Sequence, residues 1–120
     1  MEYLGDNIFI ESSGVTGISE TSYSMIDGNE IKNISTVKMS DKVFGEGISR
    51  LPGGSNFVRM TWLDNIVDIL DSNLRTIETI PMFTGVKEGW GITHNENTLY
   101  VSDGSPTITL VNANSLETEG

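Results

Sequence analysis

The sequence predicts an all-β chain of stacked antiparallel sheets, and three observations carry that prediction. A glycine-framed pentad occurs twice, as Phe44-Gly45-Glu46-Gly47-Ile48 and as Glu88-Gly89-Trp90-Gly91-Ile92, 44 residues apart. Asn7, Asn56 and Asn97 each open an apolar run (Ile8-Phe9-Ile10, Phe57-Val58, Leu99-Tyr100-Val101), at separations of 49 and 41 residues. The runs Met25-Ile26, Ile69-Leu70 and Leu110-Val111 are followed by Asp27, Asp71 and Asn112, whose short side chains bond the local backbone and stop a strand. Three markers advancing at about one pace between β-forming segments are the pattern of a β-propeller, in which one repeat is one four-stranded blade.

Taken in order, each repeat offers a glycine-framed start, a turn, an alternating strand, a polar corner and a second alternating stretch. Strands are expected near 7–12, 21–27, 30–38, 45–50, 56–62, 66–71, 74–80, 90–94, 98–102 and 107–112. Pro52-Gly53-Gly54 is a tight connection between two of them. The best helical stretch, Asp64 to Leu74, reads better as strand and turn, because Ile66, Val67 and Ile69 are β-branched and Asp71-Ser72-Asn73 follows as a turn cluster. The chain reads as one partial propeller domain over 1–120, with blades divided at roughly 1–43, 44–87 and 88–120. About two and a half blades are then present, whereas a propeller closes with at least four. The remaining blades are expected from the full-length chain or from association.

Composition narrows the function. Seventeen acidic against seven basic residues give a net charge of −10, a field that repels phosphate backbones and speaks against nucleic acid or an anionic membrane as partner. No run has the length and apolarity of a membrane span. The absence of cysteine rules out disulfides, zinc-thiolate sites and a thiol nucleophile. Met1 to Asp6 lack the basic start and apolar stretch of a signal peptide, and the compartment stays open. Lys42, Arg50, Arg59 and Arg75 are scattered and form no basic stripe. His94, the single histidine, reads as a turn residue without triad partners, and Asp103-Gly104 lacks the ligand spacing of a calcium loop.

Propeller geometry brings distant residues together. Glu46 begins an inner strand, Trp62 ends the next strand of the same blade, and Trp90 begins the adjacent inner strand, so all three are expected at one end of the channel. Ser13 and Asp103 occupy the position equivalent to Trp62 and should face the same mouth. Close approach of backbones explains the pentad glycines. It does not explain a carboxylate and an indole between them. A carboxylate beside tryptophans in a partly dry channel is expected to have a raised pKa and to move protons near neutrality.

At these residues the chain resembles the plant and bacterial type of glutaminyl-peptide cyclotransferase, a five-bladed β-propeller also called glutamine cyclotransferase. The resemblance is carried by Glu11-Ser12-Ser13-Gly14 with Gly17, by Phe44-Gly45-Glu46-Gly47-Ile48, by Thr61-Trp62, and above all by Glu88-Gly89-Trp90-Gly91-Ile92-Thr93 followed by Ser102-Asp103-Gly104-Ser105. It implies a transferase that converts the N-terminal glutamine of a peptide or protein to pyroglutamate, releasing ammonia, with no metal and no cofactor. By the same resemblance Glu46 is the proton shuttle, and Phe44, Trp62 and Trp90 are aromatic walls that hold the glutamine folded on itself. A secretory route fits the family. The family's Phe-Thr-Gln-Gly motif would fall before Met1, and its further tryptophan, asparagine and lysine have no counterpart here, so the 120 residues by themselves are expected to be inactive. The alternatives are a non-catalytic fragment or a propeller that binds a peptide or sugar without turnover. A scaffold of the WD40 kind is weaker, because Gly-His and Trp-Asp dipeptides are absent at repeat spacing.

Overall fold

The computed structural model describes residues 1–13, 20–38, 45–53, 55–61 and 65–120. Among them the backbone is strands and turns, without a helix. Strands β1 (Glu2–Gly5), β2 (Ile8–Ser13), β3 (Glu20–Asp27) and β4 (Glu30–Lys38) form one antiparallel sheet in sequence order. A second consists of β5 (Gly45–Arg50), β6 (Phe57–Thr61), β7 (Ile66–Leu70) and β8 (Thr76–Pro81), and a third of β9 (Ile92–His94), β10 (Thr98–Ser102) and β11 (Ile108–Asn112). Each sheet is an up-and-down meander, the form of a propeller blade.

Burial follows from how the sheets stack. All five residues of β6 are buried, whereas β4 and β8 are almost wholly exposed, as outer strands should be. One apolar core, with Ile10, Ile48, Phe57, Leu70 and Leu74, lies between the first and second sheets. The other joins Val58, Met60, Val67 and Ile69 of the second sheet to Leu99, Val101 and Val111 of the third. The core therefore sits between blades, and β5, the first strand of its sheet, lies against β1 and β2 of the first sheet and against β9 of the third.

Two of the three turn markers bond the local backbone as their chemistry suggests, whereas Asp27 pairs with the Lys32 ammonium instead. Asp71 Oδ1 accepts from the N–H groups of Asn73 at 2.9 Å and Arg75 at 3.0 Å, ending β7. Asn112 Oδ1 does the same for Asn114 and Ser115, both at 2.9 Å, after β11. The segment at 66–70 is strand β7, in keeping with its β-branched residues.

Two elements differ from the sequence expectation. Residues Glu2–Gly5 form a strand, paired Gly5↔Ile8 across the two-residue turn Asp6-Asn7. Both turn residues have positive φ, 52° and 62°, the backbone of a type I′ hairpin that Asp and Asn tolerate. Conversely, the strand expected from residue 90 begins only at Ile92, because Trp90 and Gly91 leave the ladder to bond Ser102 individually.

Candidate active site

Glu46 owes its orientation to a β-bulge. Between the pairs Gly45↔Thr61 and Ile48↔Arg59, β5 carries two residues, Glu46 and Gly47, against one on β6. A bulge of this kind bends the strand and re-aims a side chain, and it is common beside active sites. The Ser12 hydroxyl of β2 donates to the Glu46 carbonyl, tying the bulge to the neighbouring sheet.

Close backbone contacts then bring the second pentad against the first. The Gly47 N–H donates to the Trp90 carbonyl at 3.0 Å. A Cβ at Gly47 would lie 2.9 Å from the Ile92 nitrogen and 3.0 Å from the Trp90 oxygen, so a side chain would force the two segments apart. The Gly89 N–H likewise reaches the Thr61 carbonyl at 3.3 Å, where a Cβ would come within 2.7 Å of both Met60 Cβ and that oxygen. The start of β5, the end of β6 and the approach to β9 are thereby held together at one end of the inner strands.

The electrostatics of this end are acidic. Burial, first, and the nearby charge of Glu88, second, push the Glu46 carboxyl above its ordinary value. Glu88 Oε1 accepts a hydrogen bond from the Trp90 indole Nε1–H at 2.7 Å, and the indole remains half exposed. Asp103 is held in the ionised form: the Ser105 hydroxyl and N–H, then the Lys87 N–H, keep its carboxyl below the usual range. Its Oδ2 lies 3.3 Å from the Lys87 nitrogen, so the turn after β10 is fastened to the segment leading into Glu88-Gly89-Trp90. Among the described residues no group of His, Asp and Glu side chains could hold a metal ion.

Of the residues singled out from sequence, Glu46 and Trp90 lie on directly bonded segments, and Asp103 is fastened to the second of them. Phe44 and Trp62 lie outside the described residues, as does the Ser13 side chain. Thr61, next to Trp62, is buried and pairs with Gly45.

Sequence reasoning missed the contact of Glu88 with the indole, although the two positions alternate about Gly89 and so share a face of an extended segment. It also took His94 for a turn residue. His94 is the last residue of β9, and its Nε2 lies 3.0 Å from Glu2 Oε1 on β1.

Sheets that meander around a shared set of inner strands, with a carboxylate and an indole at one end of them, define this chain as β-propeller in class. Crystallographically known Myxococcus xanthus glutaminyl cyclase has the same fold, with a TM-score of 0.66 at 17% identity, over 95% of this chain and 50% of that one. The chain belongs to the glutamine cyclotransferase family, whose model matches residues 1–120. It is 31% identical over 107 residues to glutaminyl-peptide cyclotransferase of Arabidopsis thaliana, which covers 88% of this chain and 32% of the plant protein. The chain thus spans about a third of the curated relative and half of the solved one.

Proposed function

We propose that the protein carrying this chain cyclises the N-terminal glutamine of peptides to pyroglutamate, with Glu46 as the proton shuttle. The reading rests above all on one observation: a carboxyl with a raised pKa sits in the bulge at Glu46-Gly47, bonded through Gly47 to the segment that presents the Trp90 indole. Membership of the glutamine cyclotransferase family supports it.

The α-amine nitrogen, in its neutral form, attacks the side-chain amide carbon and forms the ring C–N bond. Its proton passes to the Glu46 carboxylate. Glu46 then delivers that proton to the amide nitrogen as the old C–N bond breaks, so ammonia leaves and the lactam remains. One carboxyl performs both transfers only if its proton affinity is close to that of the groups it serves, which a raised pKa favours. The aromatic groups Phe44, Trp62 and Trp90 hold the glutamine side chain curled toward its own amine. Such positioning contributes up to roughly 7–11 kcal/mol in well-oriented intramolecular reactions.

The test is incubation of the protein with a peptide that begins with glutamine, read by mass for the loss of ammonia. Glu46→Gln is expected to lower the rate by roughly 10²–10⁴-fold, with peptide binding retained. Equal turnover by both forms would remove Glu46 from the role. Binding of the peptide by the wild type without any ammonia release would instead favour a non-catalytic propeller.

A further inference from the structure

Trp90 is the one indole among the described residues, and half its surface is exposed. Apolar packing alone does not hold such a ring, since it covers only one side. The ring has two anchors. On one edge its Nε1–H donates to Glu88 Oε1 at 2.7 Å. On that same side, at the carbons next to the nitrogen, its six-membered ring lies against Gly104, so closely that a Cβ there would meet Cζ2 at 2.7 Å and Cε2 at 2.8 Å. The Gly104 contact is apolar and non-directional. The bond to Glu88 is directional and of the charge-assisted kind, about twice as strong as a neutral one.

Glu88 is itself well placed for this. It is partly buried, and Gly89 beside it is fixed by its bond to Thr61 and by contact with Met60. We infer that Glu88 is a positioning residue, holding the Trp90 indole in the orientation that walls the site; its consequence for turnover rests on the cyclisation proposed above. A second effect accompanies the first. The charged groups around this carboxyl are Glu46 from β5, Lys87 on its own segment and Asp103 from the turn after β10, which is bonded to Lys87. Of these, Glu46 responds to the charge of Glu88 by keeping its proton to higher pH.

Two substitutions separate the effects. Glu88→Gln keeps an oxygen that accepts from the indole but removes the charge, and Glu88→Ala removes both. The indole N–H signal of Trp90, assigned in the NMR spectrum of tryptophan-labelled protein with Trp62→Phe, reports the anchor without reference to activity. In Glu88→Ala this signal is expected to move upfield and to exchange with water faster, and in Glu88→Gln, where a neutral acceptor remains, to move in the same direction by less. With a Gln-initiated peptide, Glu88→Ala is expected to lose roughly 10- to 100-fold in kcat/KM, as for a misplaced wall. Glu88→Gln, which keeps a weaker, neutral acceptor, is expected to lose less kcat/KM than Glu88→Ala, with the acid limb of its pH–rate profile displaced to lower pH.

An unmoved indole signal in Glu88→Ala, or a loss in Glu88→Gln equal to that in Glu88→Ala, would overturn the assignment. A moved signal in a protein that never releases ammonia would uphold the anchor and reject the cyclisation instead.

Discussion

At position 46 the fold holds a carboxyl whose ionised form it disfavours, through burial first and through the charge of Glu88 second. The unfolded chain ionises this group at the ordinary glutamate value and the folded chain only at a higher one. Its favourable contribution is therefore complete below the unfolded value and is lost as pH rises through the folded value. Glu46→Gln carries no charge at any pH, so near neutrality it is expected to melt above the wild type. The gain should be about a few tenths of a kcal/mol, because the group is only partly buried. Below the carboxylate range the two melting curves should converge. Thermal scans across that interval check the sign: a lower melting temperature for the variant near neutrality would contradict it. Asp103 behaves oppositely, since its bonds to Ser105 and Lys87 favour the anion and are lost as pH falls.

Between elements, a buried polar cluster links strands through residues that no sequence signal singles out. Arg59 of β6 is 4% exposed, and its guanidinium pairs with Asp68 of β7 and donates to the Thr21 hydroxyl of β3 at 2.8 Å. Asp68 in turn accepts from the Thr79 hydroxyl of β8 at 2.7 Å. The cluster therefore joins strands of the second sheet and reaches across to the first. Among the described residues, Arg59 Nε is buried without a partner, so the remaining bonds carry the whole compensation for that buried charge. Asp68→Ala leaves the cation uncompensated and is expected to cost about 3–5 kcal/mol in unfolding experiments. Arg59→Met with Asp68→Leu should recover most of that, since an apolar pair of similar volume needs no compensation. A double variant as unstable as Asp68→Ala would show that the hydroxyl contacts, not the charge, dominate.

Across the whole molecule, Glu2 connects all three inner strands. Its carboxylate accepts from the Ser49 hydroxyl at 3.1 Å and the Arg50 N–H at 3.0 Å on β5, and lies 3.0 Å from His94 Nε2 on β9. Glu2→Ala leaves the buried Ser49 hydroxyl and the Arg50 N–H without this acceptor, at an expected cost of about 1–3 kcal/mol. Hydrogen exchange should quicken in β1 and at the end of β5 and leave β7 unchanged. Uniform acceleration throughout would mean that the inner strands open only with global unfolding.

The sequence by itself determined the up-and-down meander of consecutive strands, the Asp and Asn stops after β7 and β11, and the approach of the two pentads to one another. Period-2 alternation, short Asp and Asn stops and a repeated pentad are local signals, and each blade is built from contacts between consecutive strands. It also contained the Asp6-Asn7 hairpin signal, which is legible once β1 is seen to precede it. Tertiary structure alone decided the rest. That Arg59 is buried between sheets and that His94 meets Glu2 both depend on which faces of the stacked sheets oppose one another. The physical reason is that a charged residue reads the same in a sequence whether it meets water or an opposing strand, and only packing between blades supplies its partner.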